Sequence, residues 1–291
     1  MTTQGPGVSG SETSTSTDEP TTQTSSSDTT GALETWDAVC VGAEVTRTYD
    51  LLADTFFMFE DPGVGATNCD VGGGAPPVDS DCNDVSFGGA PWQQVFNHFA
   101  VDNDESTFTR KIFVARFEGM EIVDDTSKKP VPKEAVIDIS LGVFFKRIGG
   151  DGPTMFTLRR LETTTQWMAG PQTGAKCKPG EASWSCAACS GKEDETCAVP
   201  GKPWENATPY SSTQAVLKDF SIEGATLDQP VGITISEPEH IFSEFELLQT
   251  GHPGFLVIPA PNTPRSTVEI HTSDGNRAPT LTIRYCPDPN A

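Results

Sequence analysis

After residue 35, hydrophobic and polar residues alternate in short runs along most of the chain. In Lys111–Phe117, Ile112 and Val114 fall on one face and Phe113, Ala115 and Phe117 on the other. Thr280–Tyr285 sets Leu281 and Ile283 against Thr282 and Arg284. A period of two is the signature of a strand. Alternation or short β-branched and aromatic runs also occur at Ala43–Tyr49, Thr55–Glu60, Val136–Phe145, Met155–Leu161, Ala215–Phe220, Val231–Ile235, Gly254–Ile258 and Thr267–His271. Turn formers separate them, as in Gly149-Gly150-Asp151-Gly152-Pro153, Pro259–Pro264 and Ser273-Asp274-Gly275-Asn276. Only Pro238–Leu248 has helical spacing, with Ile241, Phe242, Phe245 and Leu248 on one stripe. The pattern predicts an all-β protein: a single jelly-roll-like antiparallel β-sandwich with long disulfide-stapled loops and one short helix.

The first residues break with this pattern. Residues 1–31 hold only Met1 and Val8 as apolar residues, and seventeen of the thirty-one are Ser or Thr. Such a segment cannot bury enough apolar surface to offset its ordering entropy, so residues 1–35 are expected to be a disordered tether. The sandwich is expected over 36–287, with loop insertions at 61–92 and 168–209, and 288–291 as a short tail. No basic and apolar leader follows Met1, and no run of about 18 apolar residues occurs.

Composition narrows the partners. Nineteen Lys+Arg stand against 41 Asp+Glu, a formal charge of −22. That balance excludes ordinary nucleic-acid binding, which needs cations to displace phosphate counterions. It also argues against docking on anionic lipid.

The eight cysteines are Cys40, Cys69, Cys82, Cys177, Cys186, Cys189, Cys197 and Cys286. An even count set among loop residues reads as disulfides formed in an oxidising compartment. The C-x8-C-x2-C-x7-C run from Cys177 to Cys197 lacks the two close pairs of a zinc ribbon, although zinc remains the alternative reading. Local pairing would join Cys69 to Cys82 and make two bridges among Cys177, Cys186, Cys189 and Cys197. Cys40 with Cys286 would pin the ends. The expectation is therefore an extracellular or outer-surface protein whose signal has been removed, with a lipid anchor in the native precursor.

The order of features resembles the DNRLRE domain, related to carbohydrate-binding module family 96. Asp54-Thr55-Phe56 is similar to the Asp-Thr that opens the family's first strand. Arg116-Phe117 matches the end of its L-L-R-F strand. Val131-Pro132 through Phe145 resembles its I-P-x-G-A turn and strand, and Leu158–Trp167 its V-x-R-V-T-x-x-W. Ser183-Trp184 and Pro203-Trp204 resemble the T-W and P-W of its long loop. His252-Pro253-Gly254-Phe255-Leu256 resembles N-x-G-F-L, and Ser273 through Tyr285 the closing S-x-E/D…P-x-L-x-V-x-Y. The resemblance spans most of 48–287. It implies an extracellular jelly-roll sandwich of the kind attached to polysaccharide-active enzymes or surface proteins.

Three sets of residues are candidates for chemistry. Sugars present apolar C–H faces on which aromatic rings stack, so Trp92, Trp184 and Trp204 are candidate ligand-binding residues, with packing as their alternative role. Trp167 ends a strand and is expected in the core. Asp79, Asp81, Asn83 and Asp84 offer hard oxygens at close spacing, a candidate calcium site without the Gly and Glu of an EF-hand loop. Asp102-Asn103-Asp104-Glu105 is a second acidic run. The four histidines (His98, His240, His252 and His271) stand in no G-x-S-x-G, H-E-x-x-H or P-loop context. The reading is a non-catalytic surface module that binds a polysaccharide. The alternative is a structural or adhesion surface protein without a small ligand, its partner a surface protein; a polysaccharide lyase or hydrolase ranks below both.

Overall fold

All ten expected strand segments form strands, and the one expected helix forms. The computed structural model describes residues 40, 42–60, 68–69, 78–79, 85–102, 105–117, 119, 121–149, 155–161, 167–172, 174–183, 186, 188–190, 197–199, 216–260, 267–275 and 277–291. These lie in one unit, Thr35–Ala291. In chain order the elements are β1 (Val45–Asp50), β2 (Ala53–Glu60), β3 (Asn68–Cys69), β4 (Val78–Asp79), β5 (Val85–Ser86), β6 (Trp92–Asp102), β7 (Glu105–Arg116), β8 (Val136–Gly149), β9 (Met155–Arg160), β10 (Ala175–Lys176), β11 (Ala188–Cys189), β12 (Cys197–Val199), β13 (Val216–Ser221), β14 (Pro230–Ile235), α1 (Pro238–Thr250), β15 (Phe255–Pro259), β16 (Thr267–His271) and β17 (Thr280–Tyr285).

Every pairing among the described residues is antiparallel, and the long strand β8 belongs to both layers of the sandwich. Its first half pairs with β17 and β14, and β1 extends that sheet beyond β17. Its last residues pair with β16, which leads through β6 to β7. β7 also carries β2 and, near its end, β15; β9 and β13 complete the second sheet. The alternation read from sequence is the burial pattern of the first sheet. Leu281, Ile283 and Tyr285 of β17, with Ile139, Leu141 and Val143 of β8, point into the core. They meet Phe56, Phe113, Ala115, Phe156, Leu158 and Phe255 of the second sheet there.

β15 is buried along its whole length, because the second sheet is covered on its outer face too. Ile112, Val114, Leu256 and Ile258 pack there against Leu161, Trp167 and Ala182. The segment that brings Trp167 and Ala182 belongs to the long loop after β9. It is held down by the β5–β10 ladder and by the Cys177–Cys189 disulfide, with Cα atoms 6.2 Å apart. Cys186 is disulfide-bonded as well. Cys40 is bonded to Cys286, with Cα atoms 5.0 Å apart. That bridge closes a loop of 246 residues and, on chain-entropy grounds, contributes about 5 kcal/mol. The Cys69–Cys82 expectation lies outside the described residues, because Cys82 does. No helix among the described residues is long and apolar enough to cross a membrane.

α1 buries Ile241, Phe245 and Leu248 in the main core. Pro238 starts it at a position whose N–H has no helical partner. Gly251, at φ +115, ends it. Glu244 lies on the same buried stripe, three residues after Ile241, and is fully buried.

Candidate functional site

Two histidine–carboxylate pairs stand out, and they differ in how many of their polar atoms are committed. The first is internal. Glu244 accepts a hydrogen bond from Arg160 Nη1 at 2.7 Å on one oxygen, and its other oxygen lies 2.8 Å from His252 Nε2. The Gly254 N–H donates to His252 Nδ1 at 3.1 Å. That bond leaves Nδ1 an acceptor, so Nε2 carries the proton and donates it to Glu244. The imidazole is stacked on Phe255 with centroids 4.0 Å apart. Burial is the main cause of its lowered pKa, opposed by Glu244. Gly254 is required here: at φ +141, a Cβ would lie 3.0 Å from Leu161 and 3.1 Å from Val114. The adjacent Pro253 carbonyl accepts from Trp167 Nε1 at 3.0 Å. With both ring nitrogens occupied, His252 has no atom left to act as a general base. This cluster fastens the helix, β9 and the long loop to one another.

The second pair is at the surface. β6 and β16 set Trp92 directly opposite His271, so both side chains stand on one face. In the next ladder Ile270 pairs with Phe145 and Glu269 with Arg147, which leaves Lys146 as the extra residue of a β-bulge. Bulges re-aim side chains. Lys146 Nζ sits 3.2 Å from the centre of the Trp92 ring, a cation–π contact. His271 Nε2 lies 3.2 Å from Asp228 Oδ1, which also accepts from Arg277 Nη1 at 2.6 Å. Asp228 has φ +63, a costly conformation for a side-chain-bearing residue. It is held there by its N–H on the Phe145 carbonyl and by Arg277 on its own carbonyl. Burial and the Lys146 charge lower the His271 pKa, and Glu269 opposes them. Trp92 is half-buried. The patch is thus a fixed indole edged by an ammonium, a guanidinium, an imidazole and a carboxylate. Such a rim can donate to and accept from hydroxyl groups.

Another buried carboxylate is structural in a different way. Asp54, at the start of β2, accepts from the Ser273 N–H at 2.8 Å and the Ser273 hydroxyl at 2.6 Å. Burial pushes its pKa up to about 6.

Of the tryptophans expected to bind a ligand, the structure places Trp92 in this patch; Trp184 and Trp204 lie outside the described residues. Trp167 is buried, as expected. Asp79 ends β4, opposite Asn68 of β3. Asp81, Asn83 and Asp84 lie outside the described residues. Asp102 and Glu105 of the second acidic run pair at the end of the β6–β7 ladder; Asn103 and Asp104 lie outside the described residues. Among the described residues, no three His, Cys, Asp or Glu side chains gather as a metal site. Lys146, Asp228 and Arg277 were not singled out in the sequence. Lys146 is visible only once the bulge is known, and Asp228 only through its backbone; neither leaves a signal in residue order.

No protein-family model and no curated protein matches the chain.

Proposed function

We propose that this protein is a non-catalytic, extracellular or cell-surface sandwich module of the DNRLRE type, and that it binds a glycan at the Trp92 patch. The carrying observation is the bulge that brings Lys146 over Trp92, beside a strained Asp228 shared by His271 and Arg277. Bulges and strained residues collect where a surface is shaped for a ligand. The DNRLRE reading is supported by where its motif positions meet. Asp54 of the opening strand bonds Ser273 of the closing motif, and Trp167 bonds the Pro253 carbonyl of the Gly-Phe-Leu motif. The Ser/Thr tail would tether the module, lipid-anchored in its precursor, and calcium would belong to the Asp79–Asp84 run.

A second reading is a structural or adhesion domain that recognises a surface protein. It is favoured by the long loop, whose Trp167 and Ala182 cover the second sheet rather than shaping a groove.

A glycan array on the oxidised protein tests the first reading, run with calcium and again with chelator. Binding to one polysaccharide class, lost in Trp92→Ala, is the expected result. Binding that survives Trp92→Ala, or no binding under either condition, favours the second reading. Loss with chelator alone would point to the acidic run.

A further inference from the structure

Arg116 is out of keeping with its surroundings. In a chain of charge −22, Arg47 pairs with Asp125, Arg160 with Glu244, Arg277 with Asp228, and Arg284 with Asp138 and Glu44. Arg159 lies in the field of Asp219. Arg116 meets no carboxylate among the described residues. Its guanidinium is half-buried, and its Nε atom is buried without a hydrogen-bond partner. Its Cζ lies 5.1 Å from the centre of the Trp167 ring, a cation–π contact. Desolvating a cation without pairing it is costly, and a bound carboxylate would offset that cost.

Two exposed apolar side chains, Leu52 and Met168, lie on the segments that adjoin it. Leu52 donates its N–H to the Arg116 carbonyl, yet its side chain is 49% exposed. Met168, next to Trp167, is 63% exposed, the most exposed large hydrophobic side chain described. We infer that Arg116, with Leu52 and Met168 on the adjoining segments, is a docking site for a peptide segment that sets a carboxylate between aliphatic side chains. The aliphatic chemistry selects peptide over sugar. Leu and Met fit the flexible side chains of a polypeptide, whereas a sugar wants an open aromatic face, and the Trp167 ring is buried. Arginine suits a carboxylate because its fork of donors matches the two oxygens. The site uses none of the residues of the Trp92 patch and goes beyond the glycan reading.

The test follows the Arg116 Nε–H and Met168 methyl signals by NMR in the full, disulfide-intact chain. The probes are N-acetyl-Leu-Glu-Leu-amide, its Gln analogue, and a glucuronate trisaccharide. The Glu peptide is expected to move both signals, and the Gln analogue to bind about tenfold more weakly. Arg116→Lys should weaken the Glu peptide, because the bidentate geometry is lost. Leu52→Ser and Met168→Ser sit on exposed side chains and should weaken it several-fold without unfolding the protein; Trp92→Ala should leave it unchanged. Equal binding of the Gln analogue, insensitivity to Leu52→Ser and Met168→Ser, movement with the glucuronate probe alone, or no movement with any probe would overturn the inference.

Discussion

His252 and His271 each face a carboxylate, yet they are opposites in what is left over. His252 has both ring nitrogens bonded, a phenyl ring against its face and a carboxylate that is itself paired with Arg160. His271 shares an exposed Asp228 with Arg277, beside a bulged lysine that sits on a half-buried indole. A fully satisfied buried polar cluster specifies structure, because every polar atom taken from water has a partner and removing one strands the rest. An edge of polar groups still in contact with water can exchange that water for a ligand's hydroxyl groups. The comparison therefore separates a fastening from a binding surface, and substitutions should divide the same way.

The largest effect is expected at the fastening. Glu244→Ala leaves the His252 Nε2–H without an acceptor and Arg160 without its charge partner, and should cost about 3–5 kcal/mol in chemical denaturation. Glu244→Gln should rescue only part of this. His252 Nδ1 must accept from Gly254, so Nε2 must donate; Arg160 donates too. A carboxylate accepts on both oxygens, whereas an amide presents one acceptor and one donor. Full rescue by Gln would break the assignment of the His252 tautomer.

Next in size is the response to pH. The Asp54 pKa is raised by burial to about 6, so the folded state holds that proton where the unfolded chain has released it. Its contribution is complete below the unfolded value and is lost as pH rises from about 4 to about 6, at most roughly 3 kcal/mol. The His252 pKa is lowered, which has the opposite sign: its contribution is present above the unfolded value of about 6.5 and is lost as pH falls through the folded value. Asp54→Asn should therefore remove the loss between pH 4 and 6 and leave the acid-side loss from His252. Denaturation midpoints of both proteins across pH 4–8 measure this. An unchanged slope in Asp54→Asn would show that the carboxylate is not the group that titrates.

At the surface patch, the expected effect moves from stability to affinity. Trp92→Ala should weaken glycan binding about tenfold, near 1.4 kcal/mol, and change the unfolding free energy by less. A variant that loses stability and keeps affinity would turn Trp92 into a packing residue and merge the two regions into one class.

The two regions were also unequally legible. The fastening left marks in the sequence: Glu244 falls on the apolar stripe of Ile241, Phe245 and Leu248, and a charge at that position signals a buried partner. The strands were legible wherever one face was buried. β6 was not, because Trp92-Gln93-Gln94-Val95-Phe96-Asn97-His98-Phe99-Ala100-Val101-Asp102 sets like residues side by side and breaks the period of two. Half of the surface patch depends on β6, and the other half on a register shift in β8. Register is a property of pairs of strands, and one strand read alone does not contain it. Trp92 could be singled out by its chemistry, but its neighbours could not. The ring contact from Lys146 and the approach of Asp228 exist only after three strands and a turn have come together.

The smallest predicted change tests whether that assembly is electrostatically coupled. Desolvation is the leading cause of the lowered His271 pKa, and the Lys146 ammonium adds to it, while Glu269 opposes both. Lys146→Met keeps the apolar stem over Trp92 and removes the charge. The His271 pKa should then rise toward the ordinary histidine value, while the His252 ring, screened from Lys146 by the core, should titrate as before. Following the imidazole Cε1–H shifts of both rings against pH separates the two, since each reports its own protonation. Arg277 and Asp228, which also stand beside the ring, keep their charges in Lys146→Met, so a rise in the His271 value isolates the lysine. A fall would mean that the methionine buries the imidazole further, and desolvation would then outweigh charge in shaping the patch. Movement of the His252 signal would carry the change across the sandwich and make fastening and binding surface one coupled unit.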